Sequence, residues 1–348
     1  MKILYGVQGT GNGHIARARA MSEALAKQDV DVDFLFSGRE KNKYFSMQCF
    51  GDFQTKAGLS FVSERGKVNY VKTAMESKVS QLMNDIRDLD VSHYDLVIND
   101  FEPVSAWAAR RQKVPSLGIS HQNAFRYSIP LKGAGWLDKK IIQHFAPTDH
   151  HIGLHWYHFD QPILPPIVHT TSSASTIDDF ILVYLPFESL ADISELLLRF
   201  ANHRFICFHP EVTQAEKVEN IEYHRLCHES FQRHLQRCNG VIANGGFELP
   251  SEAMSLGKKL LLKPLSGQFE QQSNVATLVM LGLAESMDKL DPAIVRNWLD
   301  EQPAEKVVYP DVAKAIADWV VKGDWHNQAQ LFDQLWKQVD FPTYVSLN

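Results

Sequence analysis

Three short stretches combine glycine with side chains that can move protons or bind hydroxyls. The first is Gly9-Thr10-Gly11-Asn12-Gly13-His14. Glycine lets a backbone approach a ligand closely, and a helix start just after it attracts negative charge. An imidazole titrates near neutrality and can take a proton from a hydroxyl. A tight turn with an incidental histidine is the plainer reading. Three glycines converging on one ionisable side chain favour a site.

The second stretch is Asn244-Gly245-Gly246-Phe247-Glu248-Leu249-Pro250-Ser251-Glu252. Pro250 suits a first helical turn, where a missing N–H costs nothing. The glycine pair and the unpaired amides behind it form a cradle for a diphosphate. Glu252 falls about one turn inside, where a carboxylate can accept two ribose hydroxyls. The third stretch, Gly267-Gln268-Phe269-Glu270-Gln271-Gln272-Ser273-Asn274, sets a carboxylate, amides and a hydroxyl together. Such a set suits a sugar.

These stretches need strands and helices to aim them. Lys2–Val7, Val30–Phe36, Leu96–Ile98 and Ser116–Ile119 read as strands, with a helix over Ile15–Lys27. Gln161–Thr176 breaks the pattern with Pro162, Pro165 and Pro166, followed by a small polar run from Thr170. The alternation restarts with strands at Phe180–Tyr184, Phe205–Phe208, Val241–Asn244 and Lys259–Leu262. Helices are expected at Leu190–Phe200, His228–Gln236 and Glu248–Leu256, and in the tail from Val312 to Val339. Strands alternating with helices argue for βαβ units and parallel sheets. The expectation is an α/β protein of two Rossmann-like domains facing across a cleft. The first covers residues 1–163 and the second 164–322. A helical tail, 323–348, packs back on the first, and the proline-broken junction serves as a hinge. The glycine stretches then lie where strands end, which is where open α/β sheets bind ligands.

Composition excludes other classes. The 348 residues carry 35 Lys and Arg against 41 Asp and Glu, a net charge of −6, with 45% hydrophobic and 22% charged residues. That is ordinary globular usage, with no basic excess for nucleic acid. No apolar run approaches the roughly 20 residues needed to span a bilayer. Cys49, Cys207, Cys227 and Cys238 form no CxxC, and Ile3-Leu4-Tyr5 is too short for a signal-peptide core. A cytoplasmic protein with reduced thiols is expected. Position 14 is histidine where a dinucleotide fingerprint needs glycine, and no GxxxxGK[ST] occurs. No cofactor is called for, and nothing demands a metal. The run His150-His151-Ile152-Gly153-Leu154-His155-Trp156-Tyr157-His158 reads as packing between domains rather than a zinc site.

The spacing GG(x)5E(x)4G followed by Glu270-Gln271-x-x-Asn274 resembles the donor-site signature of GT-B glycosyltransferases. The likeness is greatest to the peptidoglycan N-acetylglucosaminyltransferase-like family, which works on cell-envelope glycans. The Gly9–His14 loop is similar to that family's acceptor loop. Ser120-His121-Gln122-Asn123 resembles a His-Glu-Gln-Asn segment there, one residue shorter. The resemblance implies sugar transfer from a nucleoside-diphosphate sugar, a UDP-sugar first, to an acceptor hydroxyl, without a metal. Asn244, Gly245, Gly246, Phe247 and Glu248 would cradle the diphosphate, with Glu252 on the ribose. Glu270, Gln271 and Asn274 would take the donor sugar. The first of these is more usually Asp. Gly9 to Gly13 with His121, Gln122 and Asn123 would face the acceptor, a saccharide or a lipid-linked molecule. His14 would be the general base, oriented by Asp100 at the end of strand Leu96–Ile98, with Glu102 as the fallback partner.

Residues Gly135–Phe145 set Trp136, Ile141 and Phe145 beside Lys132, Lys139 and Lys140. A core-facing helix with a basic outer side is the expectation, and contact with the inner face of a membrane is the rival. Two rival functions remain. A nucleotide-sugar epimerase of the same fold would turn over its donor without an acceptor. A non-catalytic nucleotide-sugar sensor would bind donor and turn over nothing.

Overall fold

The computed structural model describes residues 1–58, 63–64, 67–68, 79–168 and 177–345. The polar run from Thr170 to Thr176, half of the expected hinge, lies outside the described residues.

The first half holds β1 (Lys2–Gln8), α1 (Asn12–Leu25), β2 (Asp31–Ser37), β3 (Gln54–Lys56), α2 (Val79–Asp88), β4 (Leu96–Asp100), α3 (Pro103–Gln112), β5 (Ser116–Ser120), α4 (Trp136–His144), β6 (His150–Leu154) and β7 (Ile163–Leu164). Its strands pair in the order β3-β2-β1-β4-β5-β6-β7, all parallel. β1 and β4 are buried along almost their whole length, as strands covered on both faces must be.

The second half holds β8 (Ile181–Tyr184), α5 (Leu190–Leu197), β9 (Phe205–Phe208), β10 (Glu216–Val218), β11 (Ile221–His224), α6 (His228–Arg237), β12 (Gly240–Asn244), α7 (Glu248–Ser255), β13 (Lys259–Lys263), α8 (Phe269–Met280), β14 (Glu285–Ser286) and α9 (Pro292–Leu299). The order is β10-β11-β9-β8-β12-β13-β14, parallel except for β10. Two further helices, α10 (Val312–Lys322) and α11 (Ala329–Trp336), return to the first half. α10 packs on α1, and α11 lies on β7, where Trp336 Nε1 donates to Ile163 O at 2.6 Å.

α1 begins at Asn12, three residues before the expected start. Glycines at 11 and 13 hide this first turn from any propensity reading, and tertiary contact supplies what propensity lacks. The principal apolar cluster runs through both halves, from Tyr5 and Met21 to Phe247, Leu262 and Trp319. The histidine-rich run is strand β6 and the loop after it. His150 meets the rings of Trp325 and His326, and His155 packs on Trp156. No group of three metal-capable side chains occurs among the described residues, and no described helix is long and apolar enough to cross a membrane.

Candidate active site

A cavity of about 610 Å³ opens between the carboxyl edges of the two sheets. Each sheet reverses strand order beside its first strand in sequence, β1 in the first and β8 in the second. Such switch points leave a crevice. Four helices start at the cavity, α1, α6, α7 and α8, and the N-cap residue of none of them makes a side-chain cap. α3, α5, α9 and α10 instead carry side-chain caps, from Glu102, Ser189, Asp291 and Asp311. Uncapped first turns such as those of α1, α7 and α8 present amides that can meet an anion.

On the first half, Val7 of β1 pairs in register with Asp100 at the end of β4. This brings the start of α1 beside Asp100, and His14 Nδ1 lies 2.8 Å from Asp100 Oδ1. Arg17, one turn further along α1, donates to the same carboxylate from Nε at 2.8 Å and Nη2 at 2.7 Å. Its Nη1 crosses to the second half and donates to Glu248 at the start of α7. Burial pushes the Asp100 carboxyl up, but Arg17 and His14 outweigh it and hold it below the ordinary value. Burial pushes Glu248 up to about 8, with Arg17 opposing and Asp100, Glu252 and Glu270 adding to the rise. Burial beside several carboxylates outweighs the ion pair with Arg17.

Glu102, the fallback partner for His14, is used elsewhere. It caps α3, accepting from Val104 N at 2.7 Å and from Ser105 N and Oγ at 2.6 Å each. A fully buried carboxylate holding three such donors has no reach toward α1.

On the second half, β12 ends at Asn244, and Gly245-Gly246-Phe247 turns into α7. An added Cβ on Gly245 would stand 2.8 Å from Gln271 O, whereas Gly246 meets nothing within 4 Å. Glu252 faces the cavity and accepts from Gln232 Nε2 of α6 at 2.9 Å. Gln271 Oε1 braces the turn, accepting from Gly245 N at 3.2 Å and Leu265 N at 2.8 Å.

Several expected residues meet across the halves. His121 stacks on Phe247, centroids 3.9 Å apart, and its Nε2 lies 2.7 Å from Asn274 Oδ1. Gln122 donates to Glu270 at 3.0 Å. Thr10, Gly11, Asn12, Gly13 and His14 line the cavity, as do Asn244, Gly246, Phe247, Glu248, Glu252, Glu270 and Gln271. Gly9, Asp100, Asn123, Gly245 and Asn274 sit behind its wall. A Cβ on Gly9 would collide with the Tyr44 hydroxyl. Asn123 is tied to Arg126 Nε at 3.1 Å, and Asn274 Nδ2 donates to Gly245 O at 3.1 Å.

Three contributors were not legible as site residues: Arg17, Tyr184 and Gln232. Tyr184 Oη accepts from Asn12 at 3.1 Å. For Arg17 the spacing of three from His14 was the available signal, since such residues share a helix face. α4 serves two purposes. Ile142 is buried and Ile141 and Phe145 line the cavity, while Trp136 is 78% exposed.

Residues 1–303 match the family model described as glycosyl transferase family 1. The chain belongs to glycosyl transferase family 1. This glycosyltransferase has the GT-B fold. It is similar to the glycosyltransferase SnogD from Streptomyces nogalater at 12% identity and TM-score 0.56, over 96% of this chain and 98% of that one. MurG from Acinetobacter baumannii gives 14% identity and TM-score 0.53, over 97% and 100%. The spinosyn rhamnosyltransferase SpnG, complexed with thymidine diphosphate, gives 13% and 0.55, over 96% and 99%. No curated protein matches the glycosyltransferase sequence.

Proposed function

We propose that this glycosyltransferase moves a sugar from a UDP-sugar to an acceptor hydroxyl, with His14 as the general base. The observation that carries the reading is the His14–Asp100 contact, 2.8 Å, beside a cavity that the uncapped start of α7 also lines. Nδ1–H donates a hydrogen bond to Asp100, which leaves Nε2 with a lone pair for the acceptor proton. The acceptor oxygen then bonds to the anomeric carbon as the bond from that carbon to the diphosphate breaks. The leaving diphosphate gains negative charge, and the amides following Gly246 meet it without reorganising. Glu252 takes the ribose hydroxyls. Glu270 and Gln271 reach the sugar, and the Thr10–Gly13 loop with Gln122 borders the acceptor. SpnG is complexed with thymidine diphosphate, which supports a pyrimidine nucleoside-diphosphate donor here. Ile141 and Phe145 suit an acceptor with an apolar portion, lipid-linked acceptors included.

A thermal-shift panel of UDP-, dTDP- and GDP-sugars tests the donor, because a bound ligand stabilises by mass action. UDP-sugars should stand out, and a panel in which none raises Tm overturns the reading. Glu252→Ala leaves ribose hydroxyls unpaired, at about 1–3 kcal/mol. Calorimetry should then show UDP binding weakened by roughly 5- to 150-fold. Unchanged affinity in the folded variant removes Glu252 from the ribose site.

A further inference from the structure

Arg17 belongs to the first half, yet its guanidinium ends against the second. It is 2% exposed, and the Asp100 carboxylate it grips is not exposed at all. A buried cation or anion is costly unless paired and fully hydrogen-bonded. Here the fork is complete: Nε and Nη2 take the two oxygens of Asp100, and Nη1 takes Glu248. Among the described residues, the other side chain bonded to Asp100 is His14. Without the guanidinium, a buried carboxylate would draw a second proton onto that imidazole. A doubly protonated ring has no lone pair and takes no proton from an acceptor. Arg17 Nη2 also stands 3.1 Å from His14 Nδ1, where its charge opposes a second ring proton.

We propose that Arg17 is the positioning residue of the His14–Asp100 pair. It neutralises Asp100, so that the ring carries its proton on Nδ1 and keeps Nε2 bare, and Glu248 holds it there from the opposite half. The proposal rests on the reading of His14 as base. Other ionisable groups bear on the cluster. Tyr5 feels Asp100 and Arg17, His121 feels Arg17, and Glu252 and Glu270 act on Glu248. These surround the cluster and stay in place in every variant below. Glu248 also begins the helix that faces the diphosphate. The seating of α7 on the first half therefore decides whether the fork is filled.

The test uses the full chain. Nitrogen-15 histidine spectra at neutral pH, assigned with His14→Gln, report which ring nitrogens carry protons. Wild type should show Nδ1 alone. Arg17→Met should show both nitrogens protonated, and a ring still protonated only at Nδ1 overturns the proposal. Arg17→Lys keeps the charge and loses the fork, so its ring should stay singly protonated. Its release of UDP from UDP-N-acetylglucosamine, with water as acceptor, should fall about tenfold in kcat at unchanged KM. Should the Met variant not fold, a wild-type rate in the Lys variant overturns the proposal instead. Glu248→Ala should slow the same release and Glu248→Gln, which keeps an acceptor for Nη1, should restore it. Equal rates in the two remove Glu248 from the arrangement. His14→Ala is the control. If release survives it, the base reading fails. If release depends on His14 while the ring ignores Arg17, this proposal alone fails.

Discussion

Glu248 carries a cost that depends on pH. A carboxyl raised in the folded state keeps its proton there at pH values where the unfolded chain has lost it. Its support for folding is therefore full below about 4.5, and it drains away as pH climbs toward about 8. Glu248→Gln is neutral throughout, so the Tm of the variant minus that of wild type should grow by a few degrees between pH 5 and pH 8.5. An equal difference at both pH values contradicts the raised carboxyl. His14→Ala should cut kcat by about 10²–10⁴-fold while UDP binds as before; near-full turnover with an acceptor removes His14 from the mechanism. The positions of His14 and Asp100 were readable because each follows an apolar strand, and parallel strands bring such ends together. Arg17 was not readable as a site residue. On its own it looks like the polar side of a helix, and only the opposite half shows that this side is buried.

At the scale of the element, the turn between β12 and α7 separates two uses of glycine. Gly245 is packed: a methyl there meets Val275 Cγ2 at 2.6 Å and Gln271 O at 2.8 Å. Gly245→Ala should lower stability by about 1–3 kcal/mol, as overpacking does, measurable by urea denaturation. Gly246 faces open space. Gly246→Ala should melt like wild type and yet bind UDP more weakly, because in the proposed donor site the added methyl stands where the diphosphate would approach. Normal affinity in that variant would place the diphosphate elsewhere. The strands and helices of this region were legible to within a residue or so, since buried parallel strands form short continuous apolar runs. The contacts of His121 with Phe247 and Asn274 were not. Local pattern says nothing about how two sheets are rotated against each other.

At the scale of the whole molecule, the halves share their core. Trp156 is fully buried, packs on Phe247 at 4.7 Å and donates to Ser251 at 2.8 Å. Lys132 N reaches Ser273 across the cleft at 2.9 Å. Urea unfolding followed by fluorescence and by circular dichroism should therefore give one coincident transition, and two separated transitions would mean the halves stand alone. Any opening about the Pro162–Thr176 junction has to work against that shared core. The return of α10 onto α1, and of α11 onto β7, has a consequence in time. The surfaces they cover are translated roughly 150 or more residues before the covering helices, which at about 5–20 residues per second is a wait of about 8–30 s or longer. Throughout that interval the nascent first half shows the ribosome exit and its chaperones an apolar face that the finished protein never displays.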